Sequence, residues 1–170
     1  MTNKAVFLDR DGVINDDTGH YYVYRPQDVK INQGITEGLK MLLNAGFRLF
    51  IVSNQGGVAK GLYTFEDVEQ TNDRIVSVLK EEKIVFDDIY FCPHHESVSD
   101  CECRKPKPGM ILKAMEEHDI DPASSFLIGD SERDIEAGNR AGLKQSFRIE
   151  KNSSIVPVCE NIIEYSDDEK

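Results

Sequence analysis

The feature that most constrains this chain is a series of short apolar runs, each ending in polar or acidic residues. The run "VFL" ends at Asp9 and Asp11, the run "FIV" ends in the sequence SNQ at 53–55, and "FLIG" ends at Asp130. Each run has the length of a strand, and helix-like segments separate the runs. Two carboxylates as close as Asp9 and Asp11 repel each other unless a positive charge lies near them. The chain must therefore supply or bind that charge.

The segments between the runs have helical spacing. Apolar residues recur at this spacing in 35–46 and 64–82, and the segment 108–119 begins with proline, which suits a first helical turn. Two N-terminal capping boxes are indicated, Thr64 with Asp67 and Ser131 with Asp134. Alternating strands and helices predict an α/β, three-layer Rossmann-like fold, with a mostly parallel sheet and helices on both faces.

Length and charge narrow the classes of function. With 170 residues and a formal net charge of −11, we expect one domain over 1–165, a flexible tail at 166–170 and no large cap domain. The negative charge argues against nucleic-acid and anionic-membrane partners, so an anionic substrate needs a local positive site. The first residues lack the apolar core of a signal peptide, and we expect a cytoplasmic protein, as a monomer.

The strand ends indicate a metal site. Ligands bind beyond the carboxyl ends of parallel strands, so Asp9, Asp11 and Asp130 should meet at one edge of the sheet. Such hard oxygen ligands suit Mg²⁺, which would neutralise the acidic pair. The alternatives are a strand-ending turn at Asp9 and Asp11, an ordinary strand-end hydroxyl at Ser53 and a simple helix cap at Asp134.

Cations for an anionic substrate occur in the segment "CRKPKPG". Arg104 and Lys105 precede Pro106, and a second proline follows at 108, which stiffens the segment. Arginine suits a forked contact to phosphate, and lysine supplies a point charge. A solvated basic turn is the alternative. Phosphoryl transfer requires a metal ion, cations for the transferred oxygens and a nucleophile, which can be an aspartate.

A second cluster lies in "CPHHESVSDCEC", residues 92–103. Its candidate zinc ligands are Cys92, His94, Cys101 and Cys103. Three thiolates and one imidazole make a closed tetrahedral zinc site of the structural kind. Unligated buried cysteines are the alternative. His95 fits the spacing less well than His94, and we expect the isolated Cys159 to pack in the core.

Four segments, in this order, resemble the motifs of the haloacid dehalogenase (HAD) superfamily of phosphohydrolases. They are "FLDRDGVIN", "IVSNQ", "RKPKPG" and "IGDSERD", and they span residues 5 to 140. The resemblance implies a phosphatase in which Asp9 is the nucleophile and Asp11 is the general acid and then the base. It implies that Ser53 and Lys105 hold the transferring phosphoryl oxygens. The implied Mg²⁺ ligands are the carboxylates of Asp9 and Asp130 and the backbone carbonyl of Asp11, with Ser131 as a further position.

The zinc loop followed by "CRKPKPGM" resembles the superfamily branch of the D,D-heptose 1,7-bisphosphate phosphatases. This likeness implies hydrolysis of the 7-phosphate of D-glycero-D-manno-heptose 1,7-bisphosphate, on the route to lipopolysaccharide or glycoprotein heptose. The short zinc loop is closer to the histidinol-phosphatase relatives, and Lys60 stands where arginine is common, so histidinol phosphate is the alternative substrate. The implied sugar-phosphate contacts are Asp17, Gly19, His20, Ser53, Asn54, Gln55, Gly56, Arg104 and Lys105.

Two other classes of protein are alternatives to a phosphatase. A receiver-type phospho-acceptor domain also uses Mg²⁺ and an aspartate on such a sheet, but it has no place for the zinc loop. A zinc-held interaction module without catalysis is opposed by the complete set of motif residues.

Overall fold

A computed structural model describes residues 3–168 of the protein. One parallel sheet of five strands has the order β3-β2-β1-β4-β5. The strands are β1 Ala5–Leu8, β2 Arg48–Asn54, β3 Asp88–Cys92, β4 Phe126–Gly129 and β5 Gln145–Arg148. The helices are α1 Ile35–Asn44, α2 Phe65–Glu81, α3 Gly109–His118, α4 Glu132–Arg140 and α5 Val156–Asp167. Because the strand order reverses at the central strand β1, the edge beyond β1 is where such sheets bind ligands.

The sheet is covered on both faces because its strands alternate between two cores. In β1, Val6 and Leu8 belong to the core that contains α1, α2 and α5, whereas Phe7 belongs to the core that contains α3 and α4. The neighbouring strand β2 repeats this alternation, and its Phe50 ring stacks on Phe7 with centroids 5.3 Å apart. Cys159 is fully buried in the first core, as predicted. The predicted three-layer α/β fold is confirmed, and residues 3–168 contain no second domain that could form a large cap.

Both predicted capping boxes are present. At α2, the Thr64 hydroxyl accepts a hydrogen bond from the Asp67 N–H at 3.1 Å, and the Asp67 carboxylate accepts one from the Thr64 N–H at 2.8 Å. At α4, the Asp134 carboxylate accepts a hydrogen bond from the Ser131 N–H at 3.1 Å. Side-chain oxygens thus satisfy backbone donors that a helix start leaves without partners.

Two elements differ from the sequence prediction. The strand-like run at 84–91 pairs with β2 only from Asp88 onward, while Ile84 and Phe86 pack in the core ahead of the strand. Helix α5 was not predicted, because it begins without a side-chain cap and carries a proline in its first turn. It continues through Asp167 and so includes the first two residues of the tail predicted at 166–170. Residues 169 and 170 lie outside the described residues. None of the helices described here is long and apolar enough to cross a membrane.

Candidate active site

The strands β1, β2 and β4 are followed by polar residues at the same edge of the sheet. Leu8 pairs with Ile51 of β2 and with Ile128 of β4, so the residues that follow these strands lie side by side. Carboxylate oxygens of Asp9, Asp130 and Asp134 lie within 4.8 Å of one another. A cleft of about 540 Å³ opens above them. The convergence of Asp9 and Asp130 that the sequence predicted is therefore present.

Lys105 places a buried ammonium group among these carboxylates. Its Nζ donates hydrogen bonds to Asp9 Oδ1 at 2.9 Å, to Asp134 Oδ1 at 2.6 Å and to the Val52 carbonyl at 2.8 Å. Burial disfavours the charge, but Asp134 and Asp9 outweigh it and hold the pKa of Lys105 above its usual value. Asn54 fixes the backbone of Lys105, because its side-chain amide donates to the carbonyl and accepts from the N–H, both at 3.0 Å.

Asp134 caps α4, as the sequence indicated, and it also binds Lys105, a functional role that the sequence left unspecified. Its Oδ2 accepts hydrogen bonds from the N–H groups of Asp130 and Ser131 at 3.1 Å and from the Ser131 hydroxyl at 3.0 Å. Burial alone would raise the pKa of Asp134, but Lys105 and Ser131 hold it below its usual value. Donors contact both of its oxygens, and through Oδ1 Asp134 anchors Lys105.

Asp9 and Asp130 carry negative charge that the protein does not fully balance. Burial and the nearby Asp134 raise the pKa of Asp9, and Lys105 only partly opposes this. Burial and Asp134 likewise raise the pKa of Asp130. Gly12 has a φ of 84°, and a Cβ atom there would lie 2.2 Å from Asp130 Oδ2, so glycine is required for this close approach. Hard oxygens with excess negative charge fit a divalent cation at this point.

Asp11 has a cation of its own, Arg10. The fully buried Arg10 side chain contacts the two Asp11 oxygens, through Nε and one terminal nitrogen, each at 3.1 Å. Asn15 Nδ2 and Gln55 Nε2 donate to the same carboxylate at 2.9 and 3.1 Å. Sequence reasoning gave Arg10 no role, although a cation between two aspartates was the available signal. The repulsion expected between the acidic pair is thus relieved by Lys105 on one carboxylate and Arg10 on the other.

Ser53 and Gln55 lie beneath the cleft rather than on its wall. Ser53 is 1% exposed, and its hydroxyl accepts a hydrogen bond from Gln55 Nε2 at 2.7 Å. The Tyr63 hydroxyl donates to Gln55 Oε1 at 2.8 Å. A Cβ atom at Gly57 would lie 2.1 Å from the Tyr63 ring, so this glycine makes room for it. Sequence reasoning missed Tyr63, for which neither spacing nor composition gave a signal.

The loops above the sheet supply the rest of the cleft. Among the predicted substrate contacts, its lining includes Asp17, His20, Asn54, Gly56, Arg104 and Lys105. Gly19 lies in an exposed turn and does not line the cleft. Lys151, which sequence reasoning missed, also lines it and contacts Asp17 with Nζ and Oδ2 2.7 Å apart. This ion pair joins the loop after β1 to the loop after β5.

The thiol and imidazole groups predicted as zinc ligands come together beside the cleft. Cys92 Sγ lies 3.7 Å from Cys101 Sγ and 3.4 Å from His94 Nδ1, and His94 Nδ1 lies 3.2 Å from Cys103 Sγ. With Zn–S bonds near 2.3 Å, sulfur atoms of a tetrahedral site stand roughly 3.8 Å apart. The separation of Cys92 and Cys101 matches this value, whereas Cys92 Sγ and Cys103 Sγ lie closer, 2.8 Å apart. Three thiols and one imidazole have the donor chemistry that zinc prefers. His95 contacts Ser97 Oγ at 2.7 Å instead. The preference for His94 over His95 agrees with this arrangement.

Comparisons with known proteins agree with this site. A family model described as HAD-hydrolase-like matches residues 102–147. D-glycero-beta-D-manno-heptose-1,7-bisphosphate 7-phosphatase of Helicobacter pylori (strain J99) is 43% identical, with 98% of this chain and 97% of that protein aligned. The protein of Campylobacter jejuni named for the alpha anomer is 44% identical, over 84% of this chain and 80% of its own length.

A solved structure shows the same likeness. D,D-heptose 1,7-bisphosphate phosphatase from B. bronchiseptica, complexed with magnesium and phosphate, matches with a TM-score of 0.83 and 27% identity. The match covers 95% of this chain and 99% of that one. The resemblance read from the four motifs is confirmed. The chain belongs to the heptose-1,7-bisphosphate 7-phosphatase family of HAD-like hydrolases.

Proposed function

We propose that the protein is a Mg²⁺-dependent phosphatase that removes the 7-phosphate from D-glycero-D-manno-heptose 1,7-bisphosphate. The observation that carries this proposal is the buried contact of Lys105 with Asp9, at 2.9 Å, inside the same cleft as Asp11 and Asp130. A nucleophile, a proton carrier and a fixed cation are thereby brought together, which is what phosphoryl transfer requires. The names of the relatives support the sugar bisphosphate as substrate.

The reaction would use Asp9 and Asp11 in two steps. In the first, an Asp9 carboxylate oxygen forms a bond to phosphorus as the bond from phosphorus to the sugar oxygen breaks, and Asp11 protonates that oxygen. In the second, water attacks phosphorus and gives its proton to Asp11, the bond to Asp9 breaks, and inorganic phosphate leaves. The N–H donors of Arg10, Asn15 and Gln55 support this scheme, because they hold the Asp11 carboxylate in one orientation within the cleft.

Lys105 would hold the oxygens of the transferring phosphoryl group from the wall of the cleft, and Ser53 would do so from beneath it, through the hydroxyl that accepts from Gln55. Mg²⁺ would be held by Asp9, Asp130 and the backbone carbonyl of Asp11, with Ser131 near it. When bound, this ion would balance the negative charge of the carboxylates and of the phosphoryl oxygens.

We also propose a structural zinc ion held by the thiol–imidazole cluster (Cys92, His94, Cys101 and Cys103). The distances given above and the three free thiols support it. The ion would fix the loop that leads into Arg104 and Lys105. A reducing compartment keeps such thiols available, in line with a cytoplasmic enzyme. A monomer would suffice, because one chain supplies every side chain named in the site.

A phosphate-release panel tests the function. The purified protein with Mg²⁺ would be given both anomers of the heptose bisphosphate, because relatives of 43% and 44% identity are named for different anomers. Histidinol phosphate completes the panel. We expect repeated turnover on a heptose bisphosphate and a much lower kcat/KM on histidinol phosphate. The reverse order would assign the enzyme to histidinol phosphate, and release of a single equivalent per chain would indicate a phospho-acceptor domain instead.

A further inference from the structure

The Tyr63 hydroxyl begins a series of hydrogen bonds that ends on Asp11. It donates to Gln55 Oε1 at 2.8 Å, and Gln55 Nε2 donates to Asp11 Oδ2 at 3.1 Å and to Ser53 Oγ at 2.7 Å. Tyr63, Gln55 and Ser53 are all buried. A hydrogen bond that is lost here is not replaced by one to solvent, so each contact in the series matters to its neighbours.

The series has only one direction that satisfies all of its members. An ionised carboxylate can only accept hydrogen bonds, so the Nε2 end of the Gln55 amide must face Asp11 and the Oε1 end must face Tyr63. Burial raises the pKa of Tyr63, so its hydroxyl keeps the proton that it donates to Oε1. Without that donor, the buried Oε1 atom would lose its partner, and Gln55 would turn or shift to find another. Its contact with Asp11 would then weaken.

The ring of Tyr63 is held in place by the loop that follows β1. It stacks on the Tyr24 ring with centroids 5.0 Å apart and meets the Tyr22 ring edge-on at 5.4 Å. Between these two tyrosines, the Val23 carbonyl accepts a hydrogen bond from a terminal nitrogen of Arg10 at 2.5 Å. Arg10 binds the same carboxylate that lies at the end of the hydrogen-bond series. The ring contacts therefore fix the point from which the Tyr63 hydroxyl donates.

We propose that Tyr63 is a positioning residue, which acts through Gln55 to hold the Asp11 side chain where it can protonate the leaving oxygen. The inference rests on the proposed function, because it takes Asp11 as the general acid. Tyr63 itself lies outside the cleft lining and touches no reacting atom. Its contribution appears only when the bond from phosphorus to oxygen breaks and the departing oxygen needs the proton of Asp11.

Two leaving groups test the proposal in the variant Tyr63→Phe, which keeps the ring and removes the hydroxyl. One substrate is the preferred member of the phosphate-release panel, whose leaving alcohol needs a proton. The other is p-nitrophenyl phosphate, whose phenolate leaves without one. We expect kcat/KM to fall about fivefold on the first substrate, as for the loss of one hydrogen bond, and by less than about twofold on the second. Thermal unfolding would confirm that the variant is folded at the assay temperature.

A double-variant cycle tests whether Tyr63 acts through Gln55. Gln55→Met replaces the amide by an apolar chain of similar length and removes the contact with Asp11, so kcat/KM on the preferred substrate should fall about tenfold or more. In that background, adding Tyr63→Phe should lower kcat/KM by less than about twofold, because the link is already broken. A tyrosine needed only for packing would cost the same about fivefold in either background.

Tyr24→Phe is the matched control. Tyr24 stacks on Tyr63 with its ring, which the change preserves, while its hydroxyl lies at the surface, 3.3 Å from a terminal nitrogen of Arg25. We expect its kinetics on both substrates to equal those of the wild type.

Three results would overturn the role of Tyr63. They are an equal loss of kcat/KM on both leaving groups, an undiminished loss in the Gln55→Met background, and kinetics of Tyr63→Phe that match those of Tyr24→Phe. In each case the wild type would still hydrolyse the heptose bisphosphate, so the proposed function would stand. If the wild type released phosphate from no member of the panel, the function would fail and the role of Tyr63 would be rejected with it.

Discussion

The molecule gathers metal-type ligands in two neighbouring places and balances their charge in opposite ways. The carboxylate cluster contains buried cations of its own, Lys105 against Asp9 and Arg10 against Asp11. In the thiol–imidazole cluster the sulfur atoms contact one another and the ring of His94. Burial raises the pKa of the Cys92 thiol, so without a metal it stays neutral. The difference favours a metal that serves the reaction at the carboxylates, whereas the proposed zinc at the thiols would serve the structure.

The largest expected effect comes from Asp9→Asn. The variant removes the nucleophile, so kcat on the preferred substrate should fall by about 10⁴ or more. The fold should survive, because Lys105 keeps its contact with Asp134. Phosphate release and thermal unfolding would be measured together, with Asp87→Asn as the control, since Asp87 pairs with Arg48 outside the cleft. More than a few per cent of residual activity would reject Asp9 as nucleophile.

Lys105→Met tests whether the carboxylate cluster depends on its own cation. The change leaves Asp9 and Asp134 without their buried partner, and breaking such a pair costs about 3–5 kcal/mol of the free energy of unfolding. Lys107→Met is the control, because Lys107 lies on the same segment but its ion pair with Asp100 is exposed and should contribute little to stability. Urea denaturation in chelator would give both values. Equal losses for the two variants would show that Lys105 does not hold this cluster together.

Cys103→Ser and Cys159→Ser separate metal binding from packing at the cysteines. Cys103→Ser should reduce zinc in the purified, reduced protein from about one equivalent per chain to a small fraction. Cys159→Ser should leave zinc unchanged and cost about 1–3 kcal/mol, because it buries a hydroxyl in the apolar core. Elemental analysis and denaturation would report the two effects. Wild-type protein without zinc would refute the structural metal.

The smallest effect on stability is expected from Asp88 at the start of β3, whose carboxylate belongs to neither cluster. Burial would raise the pKa of Asp88, but hydrogen bonds from the His118 ring, at 3.0 Å, and the Ile89 N–H hold it below 3.8. This interaction contributes stability above pH 3.8 that is lost as the pH falls further. Asp88→Asn should therefore flatten the acid side of the stability curve by a few tenths of a kcal/mol, as for an exposed pair. Thermal unfolding at pH 3 to 6 would measure it, and an unchanged curve would contradict the assignment.

The sequence predicted the residues that follow strands and the spaced ligands of the thiol–imidazole cluster, and it missed contacts made by side chains without a characteristic spacing. Asp9 and Asp130 could be placed together because residues after parallel strands share an edge, whereas the place of Lys105 was implied by the resemblance to the HAD motifs. The contacts of Glu96 with Arg104 and Arg133 could not be predicted, because a glutamate on a loop and an arginine on a helix face have no characteristic spacing. Helix α5 was missed because neither a capping residue nor an uninterrupted first turn marks its start.

The two hydrogen bonds between the Asn54 amide and the Lys105 backbone also affect how the substrate selectivity of this enzyme can change in evolution. At the other end of the segment 92–105, the Gln55 N–H donates a hydrogen bond to the Cys92 carbonyl at 2.8 Å. The chain between 92 and 105 is thus anchored to β2 at both ends. Insertions or deletions inside this segment can change which sugar is accepted while the Lys105 ammonium group keeps its position. Substrate selectivity and catalytic chemistry can therefore evolve separately.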